Sequence, residues 1–211
     1  MNIDKDIGYY FITDDKLSLK GNAADVLLAC ELGVKVIQYR NKNTPTKELY
    51  HEAHKLRQIC KHYDVKFIVN DRIDIALAVD ADGVHLGQDD MPYPVARKLL
   101  GKKKIIGIST HSVKEARLAE FSNVDYIGVG AIFSTTTKND VTPHGIQLIE
   151  DIKNVVNIPI VAIGGINMNN FESVISAGAS ALCSISDIVG HHDMKNRIEK
   201  INSKFAKEVA F

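Results

Sequence analysis

The sequence has no excess of charge of either sign and no long apolar run. Its 211 residues include 26 Lys and Arg and 26 Asp and Glu, so no overall electric field attracts nucleic acid or an anionic membrane. No uncharged apolar run approaches the roughly 20 residues that span a bilayer. We therefore expect neither a nucleic acid nor a membrane partner, and any anionic ligand must be bound by local groups.

Cysteine is also scarce. Cys30, Cys60 and Cys183 lie far apart without a C-x-x-C spacing, and their odd number argues against a disulfide framework or a zinc site. The N-terminal segment MNIDKDIGYYFITDD is acidic and lacks the basic region and long apolar core of a signal peptide. These features predict a soluble protein of the reducing cytoplasm.

Short apolar and β-branched runs alternate with longer amphipathic stretches, a pattern typical of repeated βα units. The strand-like runs lie at residues 9–13, 34–40, 65–71, 83–87, 104–109, 126–130, 158–164 and 181–185. Eight is the number of strands that a closed (β/α)₈ barrel requires. Since no linker or shift in composition interrupts the pattern, we predict an α/β fold with one TIM-barrel domain over residues 1–211.

Helix-like stretches separate these runs at residues 25–32, 46–63, 93–100, 112–120, 146–155, 169–177 and 194–207, and the third unit is shortened to residues 73–79. The second stretch has one apolar face, formed by Leu49, Ala53, Leu56, Ile59 and Cys60. This spacing predicts a helix that covers a sheet. An open doubly wound sheet is the alternative, but it often has a Gly-rich first turn, and the first turn here is ITDDKLS.

In a barrel the active site lies at the carboxyl ends of the strands, and several polar residues of this sequence fall there. Gln38, Arg40 and Lys42 alternate at the end of the second strand and therefore point the same way. An amide, a guanidinium and an ammonium group suit a polyanion such as a diphosphate. The alternative is that Arg40 and Lys42 only begin a solvated loop.

Acidic residues follow the next two strands. Asn70 and Asp71 end the third run, and Asp90 lies in the loop after the fourth. Mg²⁺ prefers oxygen ligands and is often held by one or two carboxylates together with substrate phosphates. We predict Asp71 and Asp90 as Mg²⁺ ligands, with Asn70 as a neutral neighbour, although acidic residues in βα loops also cap helices.

Hydroxyl, lysine and glycine residues follow the remaining strands. Ser109 ends the fifth run, and His111 beside it is either a structural donor or an acid or base. The aperiodic stretch 133–144 contains Thr135, Thr136, Thr137 and Lys138, and a loop of this length is more often functional than not. Gly165 and the segment 184–186 follow the last two strands, where barrels commonly bind phosphate, though Gly165 could instead relieve crowding at a turn.

The sequence resembles the thiamine phosphate synthase family over nearly its whole length. The landmarks, in order, are IQYRNK, IVNDRIDIALAVDADGVHLGQDDMP, IGISTHS, YIGVGAIFSTTTK, IPIVAIGGIN and GASALCSIS. The resemblance implies a transferase that joins 4-amino-2-methyl-5-hydroxymethylpyrimidine diphosphate to a thiazole phosphate, or to its carboxylate form, and releases pyrophosphate. Small phosphorylated molecules are then its partners, and a homo-oligomer is left open.

The resemblance also implies roles for individual residues. Segment 38–42, which includes Tyr39 and Asn41, would hold the pyrimidine diphosphate together with Asn70, Ser109 and Lys138, while Asp71 and Asp90 would hold Mg²⁺. Thiazole phosphate would be bound by Thr135, Thr136, Thr137, Gly165, Ile185 and Ser186. The chain departs from the family pattern at Tyr39, where an aliphatic residue is expected, and at Ala131 and Ser134, where proline is common.

The implied mechanism is a dissociative loss of pyrophosphate. Arg40, Lys42, Lys138 and Ser109 are the predicted catalytic residues, and no protein nucleophile is needed. One alternative is a thiazole tautomerase on the same scaffold, in which His111 would be central. Another is a non-catalytic barrel that binds a phosphorylated metabolite.

Overall fold

Eight parallel strands close into a barrel in the computed structural model, which describes residues 7–135 and 142–209. The strands are β1 (Gly8–Ile12), β2 (Val36–Tyr39), β3 (Lys66–Asn70), β4 (Gly83–Leu86), β5 (Ile105–Thr110), β6 (Tyr126–Val129), β7 (Ile160–Ile163) and β8 (Ala181–Cys183). The helices are α1 (Asn22–Glu31), α2 (Thr46–His62), α3 (Ile73–Ala78), α4 (Tyr93–Leu100), α5 (Val113–Phe121), α6 (Gln147–Lys153), α7 (Phe171–Ser176) and α8 (Met194–Val209).

The closure of the barrel depends on β1, which pairs with a strand on each side. Tyr10 is in register with Val36 of β2, and Gly8 is in register with Ala181 of β8. The predicted TIM barrel is therefore confirmed, and the open doubly wound sheet is excluded. The prediction of a single domain extends beyond the described residues and stays a prediction.

Residues of each strand alternate between the barrel interior and the layer under the helices, as a period of two requires. In β1, Tyr10 and Ile12 belong to the inner apolar cluster, whereas Tyr9 and Phe11 belong to the outer one. Four of the five apolar residues predicted for the covering face of α2 are buried, and Ile59 packs against the same cluster. The apolar periodicity thus determines which face of each element is covered.

The amino ends of the strands carry two similar ion-pair clusters. Asp82 precedes β4 and pairs with Arg57 of α2 at 2.9 Å, and Asp125 precedes β6 and pairs with Arg97 of α4 at 2.7 Å. Each carboxylate also accepts a backbone N–H of the preceding strand at 2.8 Å. These clusters tie helices to strands at the barrel end opposite the loops that carry the predicted site residues.

The helices that the structure describes lack the features of a membrane span. Within residues 7–135 and 142–209, none of them is both long enough and apolar enough to cross a bilayer.

Candidate active site

A cavity of about 420 Å³ opens at the carboxyl ends of the strands. Most of the residues predicted from the sequence line it, and they come from loops far apart in the chain. They are Gln38, Arg40, Lys42, Asn70, Asp71, Asp90, Ser109, Thr135, Gly165, Ile185 and Ser186, with His111 beside them. Parallel strands bring their carboxyl ends to one rim, which explains this convergence.

The basic part of the rim is held by the end of β2 and the loop after it. Gln38 is buried and points inward, and Arg40 and Lys42 line the cavity above it. The Arg40 backbone N–H donates to the Thr13 hydroxyl at 3.0 Å, and that hydroxyl donates back to the Arg40 carbonyl at 3.3 Å. Thr13, which directly follows β1, therefore holds the Arg40 backbone in place and so positions its side chain. It was not predicted from the sequence.

The acidic part of the rim faces this basic part. Lys42 Nζ lies 3.6 Å from Asp71 Oδ2. Desolvation raises the pKa of Asp71, and hydrogen bonding with Asp90 and the charge of Asp90 raise it further, while Lys42 and Arg40 oppose the shift. Asp90 thus lies close enough to disfavour the charge of Asp71, an arrangement that a shared cation relieves.

The backbone positions both carboxylates. Asp71 has a left-handed conformation with φ of 60°, which few residues other than glycine, asparagine and aspartate adopt readily. Its N–H donates to the carbonyl of His85 at 2.9 Å. Asp90 Oδ2 accepts the N–H of Gly87 at 2.6 Å, and a Cβ at Gly87 would lie 2.9 Å from that oxygen. A turn after β4 therefore holds Asp90 toward the cavity.

Polar side chains cross the floor of the cavity in one hydrogen-bonded series. Gln38 Nε2 donates to Tyr10 OH at 3.0 Å, and Tyr10 OH lies 2.8 Å from Tyr126 OH. The His85 ring bridges Tyr126 OH and Ser109 Oγ, at 3.0 Å from each. Desolvation lowers the pKa of His85 to about 4, and the charge of Asp90 opposes the shift only in part.

Three members of this series were not predicted from the sequence: Tyr10, His85 and Tyr126. Each lies on a strand that looks like ordinary core, because its neighbours are apolar. The sequence feature that could have indicated this series is His85. His85 interrupts the apolar run GVHLG at an inward position, where a polar side chain needs a partner.

His111 lines the cavity and also contacts the backbone of a neighbouring loop. Its Nδ1 contacts the carbonyl of Gly130, its backbone N–H donates to Glu115 Oε2 at 2.7 Å, and its ring stacks near His144 with centroids 6.4 Å apart. The ring is thereby held between β5 and the loop after β6. Because Nδ1 contacts the Gly130 carbonyl, a proton-transfer role would have to use Nε2.

The loops after β7 and β8 form the remaining part of the rim. Gly164 and Gly165 have φ of 102° and 62°, and a Cβ at Gly165 would lie 2.3 Å from the carbonyl oxygen of Ser134. Crowding is therefore one reason for glycine at position 165, which also lines the cavity. Ile185 and Ser186 line the cavity beside it.

The sequence profile of the thiamine monophosphate synthase family matches residues 9–188. The chain is 51% identical to a thiamine-phosphate synthase of Methanosarcina barkeri over 192 residues, which are 90% of this chain and 87% of that protein. It is 46% identical to a thiamine-phosphate synthase of Halalkalibacterium halodurans over 200 residues, 92% of this chain and 93% of that protein.

A solved structure gives the same result. A thiamine phosphate pyrophosphorylase from Pyrococcus furiosus superposes with a TM-score of 0.88 at 40% sequence identity, over 96% of this chain and 97% of that one. The chain belongs to the thiamine monophosphate synthase family. The matched region includes every predicted site residue, from Gln38 to Ser186.

Not every position suggested by the resemblance to the thiamine monophosphate synthase family faces the cavity. The Tyr39 ring packs outward against Phe67 and donates from its hydroxyl to Glu52 at 2.6 Å. Asn41 Oδ1 accepts the N–H of Asn43 in an outer turn. Tyr39 and Asn41 are not among the described residues that line the cavity. Alternation along β2 turns their neighbours Gln38 and Arg40 inward instead. Thr136, Thr137 and Lys138 lie outside the described residues.

Proposed function

We propose that this protein is a thiamine phosphate synthase. It joins 4-amino-2-methyl-5-hydroxymethylpyrimidine diphosphate to 4-methyl-5-(2-phosphoethyl)thiazole, or to the carboxylate form of this thiazole with loss of CO2, and releases pyrophosphate. The observation that carries the proposal is the meeting of Arg40 and Lys42 with Asp71 and Asp90 across one cavity rim. The family membership also supports the proposed function and the proposed reaction.

The donor set of the acidic part of the rim fits Mg²⁺. Asp71 and Asp90, which interact at the rim, would be its carboxylate ligands. Among the described residues no group of three or more His, Cys, Asp and Glu side chains could hold a metal. A pair of carboxylates suits Mg²⁺, which keeps several waters and takes further oxygens from substrate phosphates. When bound there, the ion would neutralise charge on the diphosphate leaving group.

The basic residues would bind the diphosphate from the other side. Arg40 can hold two phosphate oxygens at once, and Lys42 adds a point charge. Lys138 is proposed to reach the same group from the segment outside the described residues. Fixed positive charges that face the oxygens where negative charge develops lower the barrier to departure.

The other substrate would lie toward the loops after β6, β7 and β8. Thr135, Ile185 and Ser186 line that side of the cavity, and they are proposed to hold thiazole phosphate with Gly165, Thr136 and Thr137. With both substrates bound, the thiazole nitrogen would face the pyrimidine methylene carbon. Such positioning removes the entropic cost of bringing two reactants together.

Bond changes are confined to the substrates. The bond between the methylene carbon and the diphosphate oxygen breaks with its electron pair on oxygen, and the thiazole nitrogen then donates its lone pair to the resulting cation. The one thiol that lines the cavity does not compete for that cation as a thiolate, because burial raises the pKa of Cys183. The protein's part is therefore to bind, orient and exclude water.

Incubation with both substrates and Mg²⁺ tests the proposal. We expect thiamine phosphate and pyrophosphate in equal amounts, loss of both when a chelator is added, and recovery when Mg²⁺ is restored in excess. Omission of either substrate is the control. Absence of thiamine phosphate with both substrates and Mg²⁺ present would show that the proposed function is wrong.

The cellular location is a separate proposal. All three cysteines are free and buried, which suits a reducing compartment. We propose that the protein acts in the cytoplasm on small phosphorylated molecules.

A further inference from the structure

The hydrogen bonds across the cavity floor link Gln38 and Ser109, the two residues to which the family resemblance assigns contacts with the pyrimidine diphosphate. We call this series, Gln38, Tyr10, Tyr126, His85 and Ser109, the polar chain. Its four contacts measure 2.8 to 3.0 Å, and every member lines the cavity. Each phenol has one proton and each hydroxyl one, so the direction of one hydrogen bond constrains the next.

One direction that satisfies every member of the polar chain starts at the Gln38 end. Because Gln38 donates to Tyr10 OH, the Tyr10 proton is available for Tyr126. In this direction Tyr126 OH accepts the hydrogen bond from Tyr10 OH and donates its own proton to a hydrogen bond with His85 Nδ1. A neutral imidazole that accepts at Nδ1 carries its proton on Nε2, and His85 Nε2 therefore donates to Ser109 Oγ.

The barrel makes room for this chain with two glycines inside strands, where glycine otherwise weakens pairing. A Cβ at Gly107 of β5 would lie 2.1 Å from Tyr126 Cζ, and a Cβ at Gly128 of β6 would lie 3.0 Å from His85 Cε1. Both rings therefore occupy space that a side chain of the neighbouring strand would otherwise fill. The two glycines thus provide the space in which the Tyr126 and His85 rings lie.

We infer that Tyr10, Tyr126 and His85 are positioning residues that turn the Ser109 hydroxyl proton toward the bound pyrimidine. Ser109 Oγ already accepts from His85, so its own proton is free to be donated into the cavity. The group it fits is an acceptor, such as an aromatic ring nitrogen with a lone pair. The inference rests on the proposed function, because it takes the pyrimidine as the ligand of this part of the cavity.

Removal of the Tyr126 hydroxyl is expected to reverse the hydrogen bond between His85 Nε2 and Ser109 Oγ. In Tyr126→Phe, His85 Nδ1 has no donor, so the ring can carry its proton there instead. Nε2 then becomes an acceptor, and the Ser109 proton turns toward it and away from the ligand. Tyr10→Phe acts one step earlier, because Tyr126 then lacks the hydrogen bond that directs its proton.

The test is the steady-state kinetics of Tyr126→Phe and Tyr10→Phe. We expect the KM for the pyrimidine diphosphate to rise about tenfold in Tyr126→Phe, as for the loss of one neutral hydrogen bond, and by less in Tyr10→Phe. The KM for thiazole phosphate should stay within about twofold, because that substrate is bound elsewhere. Tyr93→Phe is the matched control: it also loses a phenol hydrogen bond, to Asn123 O at 2.8 Å, but on the outside of the barrel.

A double-mutant cycle shows whether the effect passes through Ser109. We expect Tyr126→Phe to raise the KM for the pyrimidine diphosphate about tenfold in the native background and less than twofold in a Ser109→Ala background. Equal effects in both backgrounds would overturn the inference, as would an equal rise in both KM values. If Tyr126→Phe does not fold, the same comparison with Tyr10→Phe decides. Failure of the wild-type protein to make thiamine phosphate would instead overturn the proposed function, and this inference with it.

Discussion

Lys42 Nζ lies 3.6 Å from Asp71 Oδ2, and this is where the basic and acidic parts of the cavity rim meet. The lysine side chain is 55% exposed, so the ion pair contributes at most about 1 kcal/mol to stability. The ion pair matters because it shows that a basic and an acidic side chain of the rim lie next to each other. A ligand that carries several phosphate oxygens can contact Lys42 while a cation bound by Asp71 contacts the same ligand.

Asp71→Asn is expected to lower kcat/KM by at least about 100-fold, the loss typical of one positioned electrostatic contact. Asparagine is the suitable replacement because it tolerates the left-handed backbone at this position, whereas alanine would add strain. The Mg²⁺ concentration needed for half-maximal activity should also rise. Asp74→Asn is the control, since Asp74 pairs with Arg72 outside the cavity. Activity of Asp71→Asn at the wild-type level would show that Asp71 is not a metal ligand.

Lys138→Ala is expected to lower kcat by about two orders of magnitude, because it would remove a positive charge from the departing diphosphate. The prediction comes from the sequence and the family resemblance. Single-turnover kinetics with saturating substrates would measure the chemical step, and Lys153→Ala, on α6, serves as the control. Unchanged single-turnover rates would remove Lys138 from the set of catalytic residues.

His111→Gln is expected to retain activity within a few fold. Glutamine can still donate a hydrogen bond toward the carbonyl of Gly130, which is the contact that His111 makes. The same variant distinguishes the synthase from a thiazole tautomerase, in which loss of the imidazole would abolish proton transfer. Both activities should be assayed on the purified variant. A loss of synthase activity by 100-fold or more would indicate that His111 takes part in the chemistry.

His85 is expected to make the protein less stable in mild acid. Its pKa is lowered to about 4 in the folded state, below the value of about 6.5 in an unfolded chain. The unfolded state therefore binds more protons below pH 6.5, and stability falls as the pH decreases from there toward 4. Between pH 7 and pH 5 this group accounts for about 2 kcal/mol of the free energy of unfolding.

Urea unfolding at the two pH values measures this effect. The wild-type protein should lose about 2 kcal/mol more than His85→Gln between pH 7 and pH 5, since the variant has no imidazole to protonate. Equal losses would mean that His85 is protonated as easily in the folded protein as in the unfolded chain.

The fold could be predicted from the sequence because the apolar periodicity of strands and helices records which face is buried. All eight strands and the shortened third unit, α3, lie where the pattern indicated. The pattern predicts the ends of the strands less accurately. The apolar run at 158–164 includes Pro159, whereas β7 begins at Ile160. Proline has no N–H to donate to a neighbouring strand, so an apolar run can be longer than the strand it contains.

The rim of the cavity was also predictable, because polar residues at strand ends have few structural reasons to be there. Tyr39 shows the limit of the family resemblance, since alternation along β2 places Gln38 and Arg40 inward and Tyr39 outward. The polar chain was not predicted. Tyr10 and Tyr126 are apolar enough to be taken for core, and their hydroxyl contacts depend on strands that are distant in sequence.

The two arginine–aspartate clusters at the amino ends of β4 and β6 have a consequence for engineering. They lie at the far end of the barrel from the cavity, so changes to Arg57 or Arg97 would shift the melting temperature and leave the affinity for substrates alone. A variant library at these two clusters could therefore change the stability of the protein without altering the residues that line the cavity.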